Sequence, residues 1–190
     1  MNDRAIVGAI DFFLRPLQTV GQLIQKVEVA VISLAAGLLV VATGWGVFSR
    51  YILDQPLPWP PEFGVYIYVW MSYIGAAVVL RRRKHISISF FVDAMPFVAR
   101  TLVNIVVHLL GLFFFVIVIQ YSWRIMGPQL TLEFGAALRW PKAYLTASLF
   151  LAACSMALSS VQIILEDFRS ILRPPADPDA LEPEAVVKGL

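Results

Sequence analysis

Apolar runs without charge are the main pattern along the chain. Four stretches lack Asp, Glu, Lys and Arg, and each is close to the roughly 20 residues that a helix needs to cross a hydrocarbon core. They are Val29–Ser49, Phe63–Leu80, Thr101–Trp123 and Ala143–Leu165. Because backbone in lipid must satisfy its own hydrogen bonds, each stretch is predicted to be helical. With flanking residues, the predicted spans are about 27–49, 61–80, 99–123 and 142–165.

A helical periodicity also precedes the first span, across residues 4–26. The apolar positions of this segment, spaced by three and four residues, are Ile6, Ile10, Phe13, Leu17, Val20, Ile24 and Val27. The polar positions on the opposite side are Asp11, Arg15, Gln18, Gln22 and Gln25. This pattern predicts an amphipathic helix in the inner membrane interface, with a kink at Pro16.

Composition supports the same class of protein. The chain is 59% hydrophobic and 15% charged, which is too little charge to cover the surface of a soluble domain. We therefore predict an all-α integral membrane protein with a membrane domain at residues 1–173. The Pro- and acid-rich tail at 174–190 is predicted to be disordered. The one cysteine, Cys154, excludes a disulfide within the chain.

The distribution of cations predicts the orientation. Eleven of the 15 Lys and Arg residues precede the first span, separate the second from the third, or follow the fourth. The other side holds Arg50, Arg124, Arg139 and Lys142. The positive-inside rule therefore places both termini and the middle loop in the cytoplasm. The densest cluster, Arg81, Arg82, Arg83 and Lys84, is predicted to fix this orientation and to attract anionic lipid headgroups. Nothing in the sequence indicates nucleic-acid binding.

Polar residues inside the spans are the candidates for chemistry. Because no ionised residue lies within the four charge-free runs, a buried transport site of the usual charged type is not predicted. Asn104 and His108 share a helix face, which favours an interhelical hydrogen bond over a proton or substrate site. Small residues at Ser148, Ala152, Ser155 and Ser159 predict a packing face. No catalytic motif is present, and no cofactor is expected in this chain.

Glu62 is the carboxylate closest to a predicted span. It lies in the first turn of the second helix, where the helix dipole favours a negative charge. Arg50, just past the first span on the same side, is its nearest candidate partner, with helix capping, lipid and a protein partner left open. This pairing is favoured over an ion-binding role because Glu62 lies near the membrane surface.

The segment from Arg50 to Pro96 resembles the small membrane subunit of the tripartite ATP-independent periplasmic (TRAP) transporters. An Arg ends the first helix, a Pro-Leu-x-Trp turn precedes a Glu, and a Trp, a Gly-Ala pair, a basic cluster and His-Ile follow in order. The matching residues are Arg50, Pro56, Leu57, Trp59, Glu62, Trp70, Gly75, Ala76, Arg83, His85, Ile86 and Pro96.

The resemblance implies a division of labour. Such a subunit accompanies a large membrane subunit that holds the substrate and sodium sites, and a periplasmic binding protein delivers the substrate. The cargo is an organic acid such as a C4-dicarboxylate or sialic acid, and the location is the bacterial inner membrane. Arg50, Trp59, Glu62, Trp70, Gly75 and His85 would then serve structure or subunit contact. Two alternatives stay open, an autonomous four-helix transporter and a membrane-embedded electron-transfer subunit.

Overall fold

The computed structural model describes residues 3–81 and 97–172, and its description of side chains is narrower at the helix ends. The amphipathic positions up to Phe13, together with Arg15, lie outside the described side chains. Several predicted features also lie outside the described residues, namely Arg82, Arg83, Lys84, His85 and the tail at 174–190.

Four long helices make up the fold. They are α1 (Asp3–Tyr51), α2 (Trp59–Arg81), α3 (Phe97–Gln129) and α4 (Ala143–Leu172). Each is long and apolar enough to cross a membrane, so the prediction of an all-α chain with four spanning helices is confirmed. Two two-residue strands, β1 (Glu133–Phe134) and β2 (Trp140–Pro141), form an antiparallel hairpin between α3 and α4. The sequence analysis did not predict this hairpin.

Helix α1 is continuous for 49 residues and passes through Pro16. At 1.5 Å per residue its length is about 74 Å, while a hydrocarbon core is about 30 Å thick. A large part of α1 therefore lies outside the core or crosses it at a steep tilt. Residues 4–26 and the first span belong to this one helix, so the structure does not show a separate helix on the membrane surface. The amphipathic interfacial helix therefore stays a prediction.

The side of α1 that faces the protein matches neither the predicted apolar side nor the predicted polar side. Leu14, Gly21 and Glu28 are buried at steps of seven residues. Val20 and Val27, from the predicted apolar side, are 48% and 55% exposed. Exposed apolar positions such as these suit a helix that meets lipid, since lipid accepts apolar side chains without cost.

Helix α4 lies at the centre of the packing. It contacts α1, α2 and α3, whereas α3 packs mainly on α4. The predicted small-residue face is buried, with Ser148 at 0%, Ala152 at 3%, Ser155 at 8% and Ser159 at 1% exposure. Its role in close helix packing is confirmed. The most apolar stretch of α3 contains no buried residue, so α3 leaves a long apolar surface unburied.

Candidate functional site

Two polar clusters join the helices, one at each end of the bundle, and they are called inner and outer after the predicted orientation. The first, called the inner clamp, consists of Glu28 on α1, Arg81 on α2, and Ser155 and Ser159 on α4, with the carbonyl group of Gly21. At its centre Arg81 Nη1 lies 3.2 Å from Glu28 Oε2, and the two side chains are 8% and 11% exposed. The inner clamp therefore contains a buried ion pair.

Arg81 uses its remaining donors within the same cluster. Nη2 donates to Ser155 Oγ at 2.6 Å, Nε donates to Ser159 Oγ at 3.0 Å, and Nη1 also donates to the Gly21 carbonyl oxygen at 2.9 Å. Ser155 Oγ in turn donates to Glu28 Oε1. A buried charge is tolerated when it is both paired and hydrogen-bonded. One guanidinium thus connects three helices.

Neighbouring contacts extend the attachment of α1 to α4. A Cβ on Gly21 would lie 2.7 Å from Gln162 Nε2, so glycine permits the close approach of the two helices. Gln162 Nε2 donates to the Leu17 carbonyl oxygen, and Gln18 Nε2 donates to Glu166 Oε1 at 3.0 Å. These amide contacts hold α1 against α4.

The inner clamp changes the interpretation of Arg81. We expected Arg81 to attract lipid headgroups along with Arg82, Arg83 and Lys84, but its buried guanidinium is bonded to protein groups. Glu28 was missed, because it lies one residue before the first charge-free run. The available signal was positional: Glu28 precedes Val29 and Arg81 follows Leu80, so both charges adjoin the inner ends of their runs.

The second cluster, called the outer clamp, is formed by the Glu62 carboxylate and the hairpin loop between β1 and β2. Three successive backbone amides donate to the carboxylate. The nitrogen–oxygen distances are 2.7 Å from Ala136 to Oε1, 3.0 Å from Ala137 to either oxygen and 2.8 Å from Leu138 to Oε2. Consecutive amides that converge in this way form a concave anion-binding nest, so Glu62 fixes the loop in place.

The loop has a backbone that suits this arrangement. Gly135 has φ +90°, and a Cβ there would lie 2.4 Å from Glu62 Oε2. Arg139 also has a positive φ, of 48°. Non-glycine residues rarely adopt such a conformation, so the loop is held in a specific shape rather than a relaxed one.

Aromatic side chains of α2 and the hairpin pack together next to the outer clamp. Tyr66 is 3% exposed, and its hydroxyl donates to the Trp140 carbonyl oxygen at 2.8 Å. Its ring lies edge-on to the rings of Trp140 and Phe134, with centroids 5.3 Å and 5.8 Å away. Phe63 links this group to Trp59. These contacts attach the hairpin to α2.

The expected Glu62–Arg50 pair is wrong. Glu62 is occupied by the loop amides, and among the described residues the Arg50 side chain forms no hydrogen bond or ion pair. Arg50 instead lines a groove of about 570 Å³ between the outer ends of α1 and α2. The backbone amides were a stronger partner than a single arginine because they provide several fixed donors at once.

The other predicted residues occupy separate positions. Trp70 lies in an apolar groove of about 690 Å³ bordered by α1, α2 and the start of α4. A Cβ on Gly75 would have no neighbour within 4 Å, so Gly75 is not required for a close contact here. His108 Nδ1 is 2.8 Å from the carbonyl oxygen of Asn104 in its own helix, so this contact is not the interhelical bond we expected.

Comparisons with known proteins agree with the arrangement of helices. A model of the family described as tripartite ATP-independent periplasmic transporters, DctQ component, matches residues 39–170. The sialic acid TRAP transporter small permease protein SiaQ of Vibrio cholerae is 34% identical over 73 residues, which cover 38% of this chain and 42% of that protein. The C4-dicarboxylate TRAP transporter small permease protein DctQ of the same organism is 27% identical over 112 residues, or 59% and 48% of the two chains.

A further similarity involves a longer protein. The sialic acid TRAP transporter permease protein SiaT of Haemophilus influenzae is 31% identical over 64 residues, which are 34% of this chain and 10% of that protein. The chain therefore spans less than half the length of each of these curated relatives.

Proposed function

This chain belongs to the family of DctQ components of the tripartite ATP-independent periplasmic transporters, and on that premise we propose that it is the scaffold subunit of such a transporter. The family consists of transport components and not of enzymes. In this proposal the chain braces a larger membrane subunit that binds and moves the solute, and it does not bind the solute itself.

The observation that carries this proposal is that three charged residues next to the spans, Glu28, Arg81 and Glu62, are bonded to other groups of the same chain. Glu28 and Arg81 neutralise each other within the inner clamp, and Glu62 is saturated by backbone amides in the outer clamp. The four charge-free runs supply no further ionised group. A site for a charged solute needs polar groups turned toward that solute, whereas these groups are turned toward the protein itself. A bundle in which Glu28, Arg81 and Glu62 are bonded to groups of the same chain suits a scaffold.

The exposed apolar surface supports a membrane-embedded partner. The most apolar stretch of α3 has no buried residue, which leaves a long face for contact with a larger subunit or with lipid. The similarity to a segment of 64 residues within the longer SiaT permease is consistent with a close association between small and large permease parts. We propose the large subunit as the direct partner.

The outer clamp supports a second contact. Glu62 holds the tip of the hairpin, and Ala136, Ala137 and Arg139 in that tip are exposed. With both termini in the cytoplasm, the tip faces the periplasm of a bacterial inner membrane. We propose that it contributes to docking of a periplasmic binding protein.

We further propose that the complex imports an organic acid and that a sodium gradient drives this import. The named solutes of two relatives, sialic acid and C4-dicarboxylate, are both carboxylates, which supports this class of substrate. The sodium and solute sites would lie in the large subunit.

Uptake by reconstituted vesicles tests the division of labour. We expect labelled sialic acid or a labelled C4-dicarboxylate to accumulate when this chain, the large subunit and the binding protein are combined under an inward sodium gradient. Omission of this chain should abolish uptake, and this chain alone should show none. A matched pair of variants, Arg81→Met in the inner clamp and Arg124→Met on the exposed outer end of α3, separates loss of the scaffold from loss of a surface charge. Uptake by this chain alone would contradict the proposal, and haem absorbance in the purified chain would favour the electron-transfer alternative.

A further inference from the structure

The groove that Arg50 lines has the form of a site for an elongated molecule. It extends along α1 from Arg50 to Thr43, which is about 10 Å at the rise of a helix, and it has a volume of about 570 Å³. Its opposite wall is the start of α2, with Pro60 and Pro61, and its outer rim includes Pro56. Pro residues restrict the backbone, so the rim is rigid.

The loop between α1 and α2 is fastened to the end of α1. Gln55 N donates to the Ser49 carbonyl oxygen at 3.1 Å, and Ser49 Oγ donates to the Gln55 carbonyl oxygen. Ser49 is 2% exposed. These reciprocal bonds hold the loop that carries Pro56, so the groove is formed before any molecule enters it.

Hydrogen-bond donors without protein partners surround this groove. Arg50 is exposed, and Tyr51 and Tyr68 are 76% and 65% exposed. All three line the groove, and among the described residues none of the three side chains forms a hydrogen bond or ion pair. Arg50 is also the one charged residue in the lining. Arg50 and Tyr51 thus place donors and one positive charge at the outer end of the groove, whereas Tyr68, nine residues into α2 from Trp59, lies at its deep end among mainly apolar side chains.

We propose that this groove binds a glycerophospholipid, with the phosphate at Arg50 and the upper part of an acyl chain along α1 toward Thr43. A phosphate group supplies acceptor oxygens and negative charge, which complement the Arg50 guanidinium and the hydroxyl of Tyr51 next to it in the chain. The depth also fits, because Arg50 lies one residue beyond a charge-free run and Trp45 and Tyr51 nearby are the residue types enriched at the headgroup layer.

Arg50 does not pair with Glu62, and it is therefore open to another anion. The carboxylate that shares its membrane face is held by the amides of the hairpin loop, which leaves the guanidinium for an anion from outside the chain. Lipid phosphate is the anion present throughout the headgroup layer. The proposal concerns lipid binding and does not depend on which solute the transporter carries.

Native mass spectrometry of the purified full chain tests the site. The probe is palmitoyl-oleoyl phosphatidylglycerol titrated into the detergent solution, and the matching diacylglycerol, which lacks the phosphate, is the comparison lipid. We expect Arg50→Gln to weaken binding of the tightest phosphatidylglycerol by about tenfold, the loss of one charge-assisted interaction. Arg124→Gln, which removes an exposed arginine outside the groove, should leave it unchanged. The diacylglycerol should bind at least about tenfold more weakly than phosphatidylglycerol to the unaltered chain.

A second variant guards against a folding defect in Arg50→Gln. Tyr51→Phe removes one donor from the outer end of the groove and should weaken phosphatidylglycerol binding by about threefold, while Tyr73→Phe, at a position outside the groove, should not. Equal binding by Arg50→Gln and the unaltered chain would overturn the proposal, as would equal losses in Arg50→Gln and Arg124→Gln. If Arg50→Gln releases the large subunit from the purified complex while phosphatidylglycerol binding is unchanged, the anion is a protein carboxylate and the proposal is wrong.

Discussion

Replacement of Arg81 by methionine is the sharpest test of the inner clamp. Methionine has a similar length, so the change removes the guanidinium while much of the volume stays filled. Glu28 would then keep a buried carboxylate, 11% exposed, with Ser155 as its remaining donor. The loss of one member of a buried pair is more damaging than the loss of both, because an unpaired charge stays in the protein.

The expected magnitude follows from the contacts. Arg81 donates four hydrogen bonds, to Glu28, Ser155, Ser159 and the carbonyl oxygen of Gly21. At about 0.6 kcal/mol for each bond in a membrane protein, their loss costs about 2.4 kcal/mol. Removal of one member of a buried ion pair in proteins generally costs about 3–5 kcal/mol. We therefore expect Arg81→Met to lower the free energy of unfolding by about 2–5 kcal/mol.

Titration with sodium dodecyl sulfate measures this effect. The five tryptophans report unfolding by fluorescence, and the free energy is extrapolated to zero denaturant. Glu28→Met should cost a similar amount, but the double variant should cost at most about 1 kcal/mol, because two apolar side chains can replace a buried ion pair without penalty. Arg124→Met, an exposed control, should change the free energy by less than about 0.5 kcal/mol.

The double variant decides the outcome. If its loss of stability equals the sum of the two single losses, the charges are not coupled and the inner clamp does not act as a unit. If Arg81→Met alone is no less stable than Arg124→Met, the buried pair contributes nothing to stability and the reasoning fails.

Three further changes test other contacts. Gly135→Ala should destabilise the hairpin by about 1–2 kcal/mol, because alanine is strained at φ +90° and its Cβ would displace Glu62; faster hydrogen exchange across residues 132–141 would report it, and unchanged exchange would refute it. Gly21→Ala should lower the free energy of unfolding by about 1 kcal/mol by disrupting the amide contact between α1 and α4, whereas Gly37→Ala, at an open position, should not; equal effects would exclude a specific contact. Tyr66→Phe should cost about 1 kcal/mol through the lost hydroxyl bond, and wild-type stability in detergent titration would show that this bond is unimportant.

The four helices could be predicted because lipid imposes a strong rule on sequence. A charge-free run of about 20 residues has few alternatives to a spanning helix, and the structure contains four such helices. The small-residue face of α4 was predictable for the same reason, since close packing in lipid favours small side chains. The helix ends were less certain, and α3 continues to Gln129, beyond its predicted end near residue 123.

The two clamps were harder to predict because their partners are far apart in the chain. Glu28 and Arg81 are separated by 53 positions, and Glu62 and Ala136 by 74. The second pairing has little sequence signal, since backbone amides are present in almost every residue. Gly135 was the one available hint, because glycine often marks a backbone conformation that other residues avoid. The predicted Arg50 partner was reasonable by charge but could not compete with three fixed amides.

The central position of α4 affects how the chain is made. Two partners of Arg81, Ser155 and Ser159, are synthesised as part of α4, and the loop that binds Glu62 is synthesised immediately before α4. As the ribosome delivers the chain from the first residue onward, the outer clamp can form once residues 136–138 have emerged, but the inner clamp is complete only when α4 follows. A polypeptide cut short before residue 143 would therefore leave the translocation machinery with three helices and an Arg81–Glu28 pair that lacks the serine hydroxyls of α4, a mark by which cellular quality control can distinguish unfinished copies from complete ones.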